Sequence, residues 1–465
     1  MRADTLSLLP KSIFRAYDIR GIVNDTLTEQ NVFLIGQALA SLVRDGGGER
    51  IIVARDGRLS GKILSQALCN GILSAGCDVI DLGCVPTPLL YYATSILEDR
   101  SGVMLTGSHN PPEYNGLKMV VNGVTLAEKA IQELYQRILQ KQIYQDQQGV
   151  CYELDLVDRY IEHVCRDVQL KRPLKVVIDA GNGITGFLAP ALFRKLGCDV
   201  VELFCEVDGR FPNHHADPSQ VENLQDLIAE VQTQRADLGM AFDGDGDRLG
   251  IVTNRGHIIW PDRLLMLYAQ ALLQQSPAAK VVYDVKCTDR LHDFIRQHGG
   301  ESVMWKTGHS LIKAKMKEMD AALAGEMSGH FFFRDRWHGG DDAIYAGARL
   351  LEILSQQTMD SETVFAAIPN SVNTPELKVY VDDEEKFNLM AALIEHATFA
   401  EPHELLTIDG LRVNFSNGWG LIRPSNTSPY LILRFEASNE TILAKIQTEF
   451  KSLLLSIKSD LTVPF

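Results

Sequence analysis

The chain of 465 residues is 45% hydrophobic and 23% charged, long enough for roughly three or four globular domains. A formal net charge of −15 argues against nonspecific binding to nucleic acid or to an anionic membrane, so an anionic substrate must meet cations clustered locally. No run approaches the ~18 apolar residues of a membrane span, the opening MRADTLSLLPKSIFRAYDIR lacks the pattern of a secretory signal, and eight cysteines without a C-x-x-C pair read as reduced core residues of a cytoplasmic protein.

Three segments open alike. Arg50-Ile51-Ile52-Val53-Ala54, Lys175-Val176-Val177-Ile178-Asp179 and Lys280-Val281-Val282-Tyr283-Asp284 each set a basic residue before a short β-branched run and read as buried strands. Each leads into a helical stretch that ends at a glycine turn, then a second apolar run from Gly76, Gly197 or Gly299. A further helix-compatible stretch precedes a third strand at 102–105, 238–242 and 321–324. This weak internal repeat predicts three related mixed α/β domains with mostly parallel sheets. The end of the chain departs from it. A strand at 377–381, a helix at 384–396, hairpin signals at Asp409-Gly410 and Asn417-Gly418 and a final helix predict a C-terminal α+β domain.

The three repeats differ most just beyond the third strand, where they read Thr106-Gly107-Ser108-His109-Asn110-Pro111, Asp243-Gly244-Asp245-Gly246-Asp247-Arg248 and Gly325-Glu326-Met327-Ser328-Gly329-His330. Open α/β sheets bind ligands beyond the carboxyl ends of their strands, so these polar loops occupy equivalent, ligand-facing positions. Asp243, Asp245 and Asp247 alternate with glycines that permit a tight turn, which points three hard oxygen ligands at one cation and suits Mg²⁺. An EF-hand fits poorly, because positions six and twelve of its loop fall on Arg248 and Asn254. Ser108 has no G-x-S-x-G elbow around it, so a metal-facing phosphoserine suits it better than acyl transfer, although such a loop can also be a plain turn. Glu326 and Ser328 offer an acceptor and a donor to sugar hydroxyls, and His330 can move a proton near neutral pH. In the tail, Arg423, Ser425, Asn426 and Thr427 combine a guanidinium fork with hydroxyl and amide donors, a mixture that holds a phosphate dianion without a metal. Gly181-Asn182-Gly183-Ile184-Thr185-Gly186 fits a dinucleotide fingerprint, yet the first and third repeats carry unrelated turns at that point (Arg55-Asp56-Gly57-Arg58 and Lys286-Cys287-Thr288-Asp289), so it reads as a turn into a helix.

Taken together, TGSHNPPEYNGLK, DGDGDR, GEMSGH and RPSNTS, in this order and spacing, closely resemble the α-D-phosphohexomutase superfamily, over essentially the whole chain from Phe14-Arg15-Ala16-Tyr17-Asp18-Ile19-Arg20-Gly21 to Arg434-Phe435-Glu436-Ala437. GEMSGH looks like the bacterial phosphomannomutase/phosphoglucomutase branch. The resemblance implies four domains, heart-shaped around a central cleft, divided at 1–153, 154–257, 258–369 and 370–465. It implies that Ser108 is the phosphorylated serine, that Asp243, Asp245 and Asp247 hold Mg²⁺ together with a phosphoserine oxygen, that Glu326 and Ser328 bind sugar, and that Arg423, Ser425, Asn426 and Thr427 grip the nonreacting phosphate. Tyr17, Arg20, His109, Asn110, Lys118, Arg248, Lys286, His309 and His330 match further cleft positions.

The implied reaction moves phosphate between hexose 1-phosphate and hexose 6-phosphate, of mannose, glucose or both, through phospho-Ser108 and a hexose 1,6-bisphosphate that also serves as activator. Lys118 and Arg20 would neutralise the transfer state, and Lys118, His109 or His330 could take the hydroxyl proton. A metal-dependent sugar phosphatase and a noncatalytic sugar-phosphate-binding protein are the rival readings. The partners expected are small hexose phosphates rather than nucleic acid or membrane, and the sequence leaves oligomeric state open.

Overall fold

The computed structural model describes residues 9–426 and 428–465. Each of the three repeats builds the same parallel core: its first strand lies in the middle, flanked by its second and third. In the first, Arg50–Arg55 runs parallel to both Asp78–Cys84 and Gly102–Leu105. The second sets Lys175–Asp179 between Asp199–Leu203 and Leu238–Phe242, and the third sets Lys280–Asp284 between Glu301–Trp305 and Leu323–Gly325. Parallel neighbours need a crossover between them, and the helices Gly61–Ser74, Thr185–Lys195 and Arg290–Gln297 supply the first one in each copy. The glycines that close these helices take the left-handed backbone, with φ of +83° at Gly76, +96° at Gly197 and +84° at Gly299, where any Cβ would be strained.

After the third strand the chain reverses instead of crossing over. Gly102–Leu105 pairs antiparallel with Tyr114–Val121, Leu238–Phe242 with Leu249–Thr253, and Leu323–Gly325 with Phe331–Phe333. The three polar loops of the repeats are therefore the hairpin ends of these pairs, held at both sides by buried strands. The sequence pattern named three strands per copy and missed this fourth, because a strand buried on both faces shows no alternation to separate it from the loop before it.

The tail forms a separate antiparallel sheet in the order Val372–Asn373, Tyr430–Ala437, Gly418–Pro424, Leu411–Phe415, His403–Leu406, with Leu377–Tyr380 also on Tyr430–Ala437. Asp409-Gly410 lies between His403–Leu406 and Leu411–Phe415 as expected, with Gly410 at φ +84°. The next hairpin turns one residue earlier than its signal: Phe415 pairs with Gly418, which leaves Ser416 and Asn417 as the loop. Helix Glu440–Ile457, capped by the Asn439 side chain, packs on this sheet around Phe435 and Phe450.

The units are joined by more than chain. Helix Ala343–Ser355 follows the third sheet in sequence but leans on the second, where a Cβ on Gly347 would meet Met240 Sδ at 3.0 Å and Phe193 Cζ at 3.1 Å. Ahead of it, Trp337 stacks on Tyr345 and Tyr92, and Asp342 accepts hydrogen bonds from Trp337 Nε1 at 3.1 Å and from the Tyr160 hydroxyl, so aromatic rings from all three units share one core. All eight cysteines are free, with Cys69, Cys77, Cys198 and Cys287 buried and Cys151 exposed.

The tail is fastened at Arg412. Its fully buried guanidinium lies 3.9 Å from the ring centre of Trp419, ion-pairs with Asp289, and donates to the backbone carbonyls of Val285 and Cys287. Trp419→Ala empties this joint and should cost about 3–5 kcal/mol of unfolding free energy, measured by urea denaturation; a loss below about 1 kcal/mol would remove Trp419 from the joint's energetics.

Candidate active site

The Ser108 loop is set from beneath by a buried pair, Asp56 and Arg58, that sequence pattern marks only as a turn. Asp56 Oδ2 accepts from the Thr106 hydroxyl at 2.7 Å and from Gly107 N at 3.2 Å, and Thr106 Oγ1 in turn accepts from Ser108 N at 2.8 Å. Arg58, 2% exposed, donates to the carbonyls of Ser108, Asn110, Pro111 and Tyr114 at 2.5–2.9 Å. Four carbonyls gathered on one guanidinium leave the loop little freedom, and Ser108 is held at φ +49°, an uncommon conformation for a residue with a Cβ. An Asp-Gly-Arg at the end of the repeat's first strand was the available signal.

Ser108 Oγ reaches into the second unit, where it donates to Asp243 Oδ2 at 2.8 Å, and lies 3.2 Å from His109 Nδ1. The two loops are pressed together: a Cβ on Gly244 would come within 2.4 Å of the Ser108 carbonyl oxygen. Asp243, Asp245 and Asp247 are 0% exposed, and each offers an oxygen within 4.8 Å of the others. Asp243 Oδ1 is fixed by the backbone N–H groups of Gly246, Asp247 and Arg248. Asp245 Oδ2 accepts from Thr87 Oγ1 at 2.6 Å and Lys118 Nζ at 2.7 Å, and Lys118 also pairs with Asp247. Asp245 Oδ1 lacks a hydrogen-bond partner, and Asp247 Oδ1 faces only His330 Nε2, at 3.3 Å. An unpartnered carboxylate oxygen within a cluster of three buried carboxylates fits a hard divalent cation, so the residues present suit Mg²⁺.

Electrostatics point the same way. Burial, then the neighbouring Asp247 and Asp245, push the Asp243 carboxyl far above the usual carboxylate range. Burial works against the charge on Lys118, but Asp245 and Asp247 outweigh it and raise the ammonium's pKa, so Lys118 stays charged at neutral pH. Desolvation, followed by Arg248 and Arg20, pushes the His109 imidazole well below its ordinary value, and His309 is lowered by burial and Lys313. Both rings are neutral at pH 7.

These loops border one cavity of about 200 Å³. Of the expected residues, Tyr17, Arg20, Ser108, His109, Lys118, Arg248, Lys286, His309, Glu326, Ser328, His330, Arg423 and Ser425 line it. The three aspartates do not; they lie behind Ser108 and Lys118, to which they bond. Asn110 sits behind Arg20 and accepts from it. Asn426 is half-buried but outside the lining, and Thr427 lies outside the described residues.

In the third unit, Glu326 Oε1 accepts from Gly308 N at 2.6 Å, its other oxygen is without a hydrogen-bond partner, and burial raises its pKa. Ser328 Oγ lies 2.8 Å from His330 Nδ1, and His330 Nε2 lies 3.3 Å from Asp247, which ties the third loop to the second. In the fourth, Arg423 donates through Nε to Asp409 at 2.9 Å, which leaves its buried Nη2 without a partner. Lys286 pairs with Glu376 at 2.5 Å. Lys378, Glu376, Asp217 and Thr307 also line the cavity and were not anticipated, since each is a single polar residue with no motif around it. Six cations (Arg20, Lys118, Arg248, Lys286, Lys378 and Arg423) thus border one small space in a chain of net charge −15.

Comparison with known proteins identifies the family. Residues 11–145, 158–256 and 260–372 match alpha/beta/alpha domains I, II and III of phosphoglucomutase/phosphomannomutase, and residues 376–453 match its C-terminal domain. The phosphomannomutase/phosphoglucomutase of Pseudomonas aeruginosa is 54% identical over 98% of both chains, and a phosphoglucomutase of Neisseria gonorrhoeae is 50% identical over 97% of this chain and 98% of its own. The crystal structure of a phosphoglucomutase/phosphomannomutase family protein from Burkholderia thailandensis superposes with a TM-score of 0.93, at 49% identity, over 98% of this chain and all of that one. Four matched domains in order, and near-complete alignment at about half identity, establish that the chain belongs to the phosphoglucomutase/phosphomannomutase family of the α-D-phosphohexomutase superfamily.

Proposed function

We propose that the chain is a phosphomannomutase/phosphoglucomutase, an isomerase that interconverts the 1- and 6-phosphates of mannose, glucose or both by phosphoryl transfer through Ser108. The observation that carries this reading is the placing of Ser108 Oγ 2.8 Å from Asp243, at the wall of a cavity that also holds Arg423 and Lys286. A transferable phosphate and an anchoring site for a second phosphate are what a mutase needs and a simple phosphatase does not.

In this reading Arg423, Lys286, Ser425, Asn426 and Thr427 bind the nonreacting phosphate, with Tyr17 and His309 beside it, while Glu326 and Ser328 hold sugar hydroxyls. The free hydroxyl of the sugar attacks the phosphorus of phospho-Ser108; the bond from phosphorus to Oγ breaks, and the serine oxygen takes up a proton. Arg20, Lys118 and Arg248 meet the negative charge of the transferring group. Asp243, Asp245 and Asp247 would hold Mg²⁺, which when bound would supply Lewis-acid polarisation of the phosphoryl oxygens. Because Lys118 is held charged, it serves as a cation, and the proton of the attacking hydroxyl falls to an imidazole, His109 or His330. The product of the first transfer is a hexose 1,6-bisphosphate. It turns around in the cavity and returns its other phosphate to Ser108; added bisphosphate primes enzyme that has lost its phosphate. The division at 1–153, 154–257, 258–369 and 370–465 gives each unit one loop of the site, and we read the setting as cytoplasmic. Among the described residues no helix is long and apolar enough to cross a membrane.

Ser108→Ala should lose the phosphoserine mass and at least ~10³-fold of turnover in a coupled assay with Mg²⁺ and glucose 1,6-bisphosphate; turnover within a few-fold of the parent would refute the nucleophile. Arg423→Ala should raise KM for glucose 1-phosphate ~10–100-fold, the cost of one charge-assisted phosphate contact, with a smaller change in kcat; an unchanged KM would move the anchoring site elsewhere. In thermal unfolding, EDTA should lower the midpoint and Mg²⁺ restore it, and Lys118→Met should enlarge that dependence because the carboxylates then have lost their internal cation. A midpoint indifferent to Mg²⁺ in both proteins would overturn the metal site.

A further inference from the structure

A second cavity, of about 480 Å³, opens between the first and third units. Helix Thr87–Ile96 brings Tyr91 to it, the turn before Gly102–Leu105 brings Arg100, helix His309–Met319 brings Ser310, Lys313 and Lys317, and the chain beyond Phe331–Phe333 brings Arg334 and His338. The mechanism above uses none of them. Four of these are cations, and no carboxylate lines the cavity, although the chain as a whole carries an excess of fifteen acidic charges.

The cations are incompletely matched. Lys313 pairs with Asp341 at 2.8 Å and lies 3.9 Å from the ring centre of Tyr91, and Arg334 donates to the Met316 carbonyl at 3.2 Å with the solvent-exposed Asp320, at 3.4 Å, as its ion-pair partner. Arg100 and Lys317 are exposed and have no ion-pair partner among the described residues.

Three neutral groups add independent support. Tyr91 is 4% exposed and Ser310 3% exposed, yet neither hydroxyl has a hydrogen-bond partner. His338 is pushed down to about 3 by burial and then by Lys313, so its ring is neutral. Its Nδ1 accepts from Gly340 N at 3.1 Å, which leaves the hydrogen on Nε2, and that nitrogen also lacks a partner. Buried donors are rarely left unmatched without a ligand or water to take them.

From this conjunction of unmatched donors and unshared cations we infer that the cavity is a second anion site, built for a phosphate group carried free or on a small ester. Lys313 joins this cavity to the cleft: Asp341, which it holds, faces His309 Nδ1 at 3.4 Å with its other oxygen, so an occupant drawn to Lys313 competes with a carboxylate set against a cleft histidine.

The test is equilibrium dialysis of the full chain against labelled inorganic phosphate. It compares Arg423→Ala, which weakens the cleft, with the same protein also carrying Arg100→Ser and Lys317→Ser. Both added positions are exposed, so the fold should survive, and Arg100→Ser/Lys317→Ser in the parent background should keep its mutase turnover. Arg423→Ala should retain a phosphate site that the two further substitutions weaken at least ~10-fold, the loss expected for charge-assisted contacts. Displacement of the label by glycerol 3-phosphate would mark a site that accepts an ester, and retention of the label one for the free ion; either supports the proposal. Equal binding by the two proteins, or no binding by Arg423→Ala, would overturn it whatever the mutase assays show.

Discussion

Three carboxylates packed within 4.8 Å of one another in a buried interior set the terms for everything around them. Such a cluster cannot persist without positive charge or directed donors, because burial disfavours each ion and each disfavours the next. The fold answers from several directions. Backbone N–H groups of the loop fix one oxygen of Asp243, Thr87 reaches in from the first unit to Asp245, and Lys118 comes from the returning strand of the Ser108 hairpin. Since Thr87, Lys118 and Ser108 all belong to the first unit, the hydrogen bonds of the site also tie the first unit to the second, beside the aromatic core they share. A rigid-body movement between those units would break the chemistry, whereas the fourth unit meets the third through its own joint at Arg412 and Trp419.

The reversal after the third strand of each repeat places the site. A parallel crossover would have sent the chain away beneath the sheet; an antiparallel return keeps a short loop at the carboxyl edge with both ends anchored. Glycines are then needed where two such loops touch, as Gly244 does against the Ser108 carbonyl. The dinucleotide-like run at Gly181 has the same explanation. A Cβ on Gly183 would meet the Gly244 oxygen at 2.9 Å and one on Gly186 the Cys205 oxygen at 2.1 Å, while Glu202 pairs with Arg194 on the surface, so these glycines serve packing.

Repetition and short dense motifs made much of this legible in the sequence. The three β-branched runs, the left-handed glycines after the first helices, and the DGDGD and GEMSGH loops each concentrate their information within a few neighbouring residues. What stayed hidden depends on partners far apart in the chain. Arg58 gathers four carbonyls from residues fifty or more positions away, and Asp409, Glu376 and Asp341 act by orienting Arg423, Lys286 and His309. No local pattern distinguishes such a residue from an ordinary surface charge. The buried antiparallel strands escaped for a related reason, since continuous apolar character carries no period.

Helix Ala343–Ser355 has a bearing on how the protein is made. It emerges after the third sheet yet covers the second, with Gly347 against Met240 and Phe193 and Ala343 N hydrogen-bonded to the Gly246 carbonyl. During vectorial synthesis the second sheet therefore waits, one apolar flank bare, until about a hundred further residues have left the ribosome. The loop of Asp243, Asp245 and Asp247 gains its bond from Ala343 only then, so the carboxylate cluster is among the last parts of the second unit to be completed.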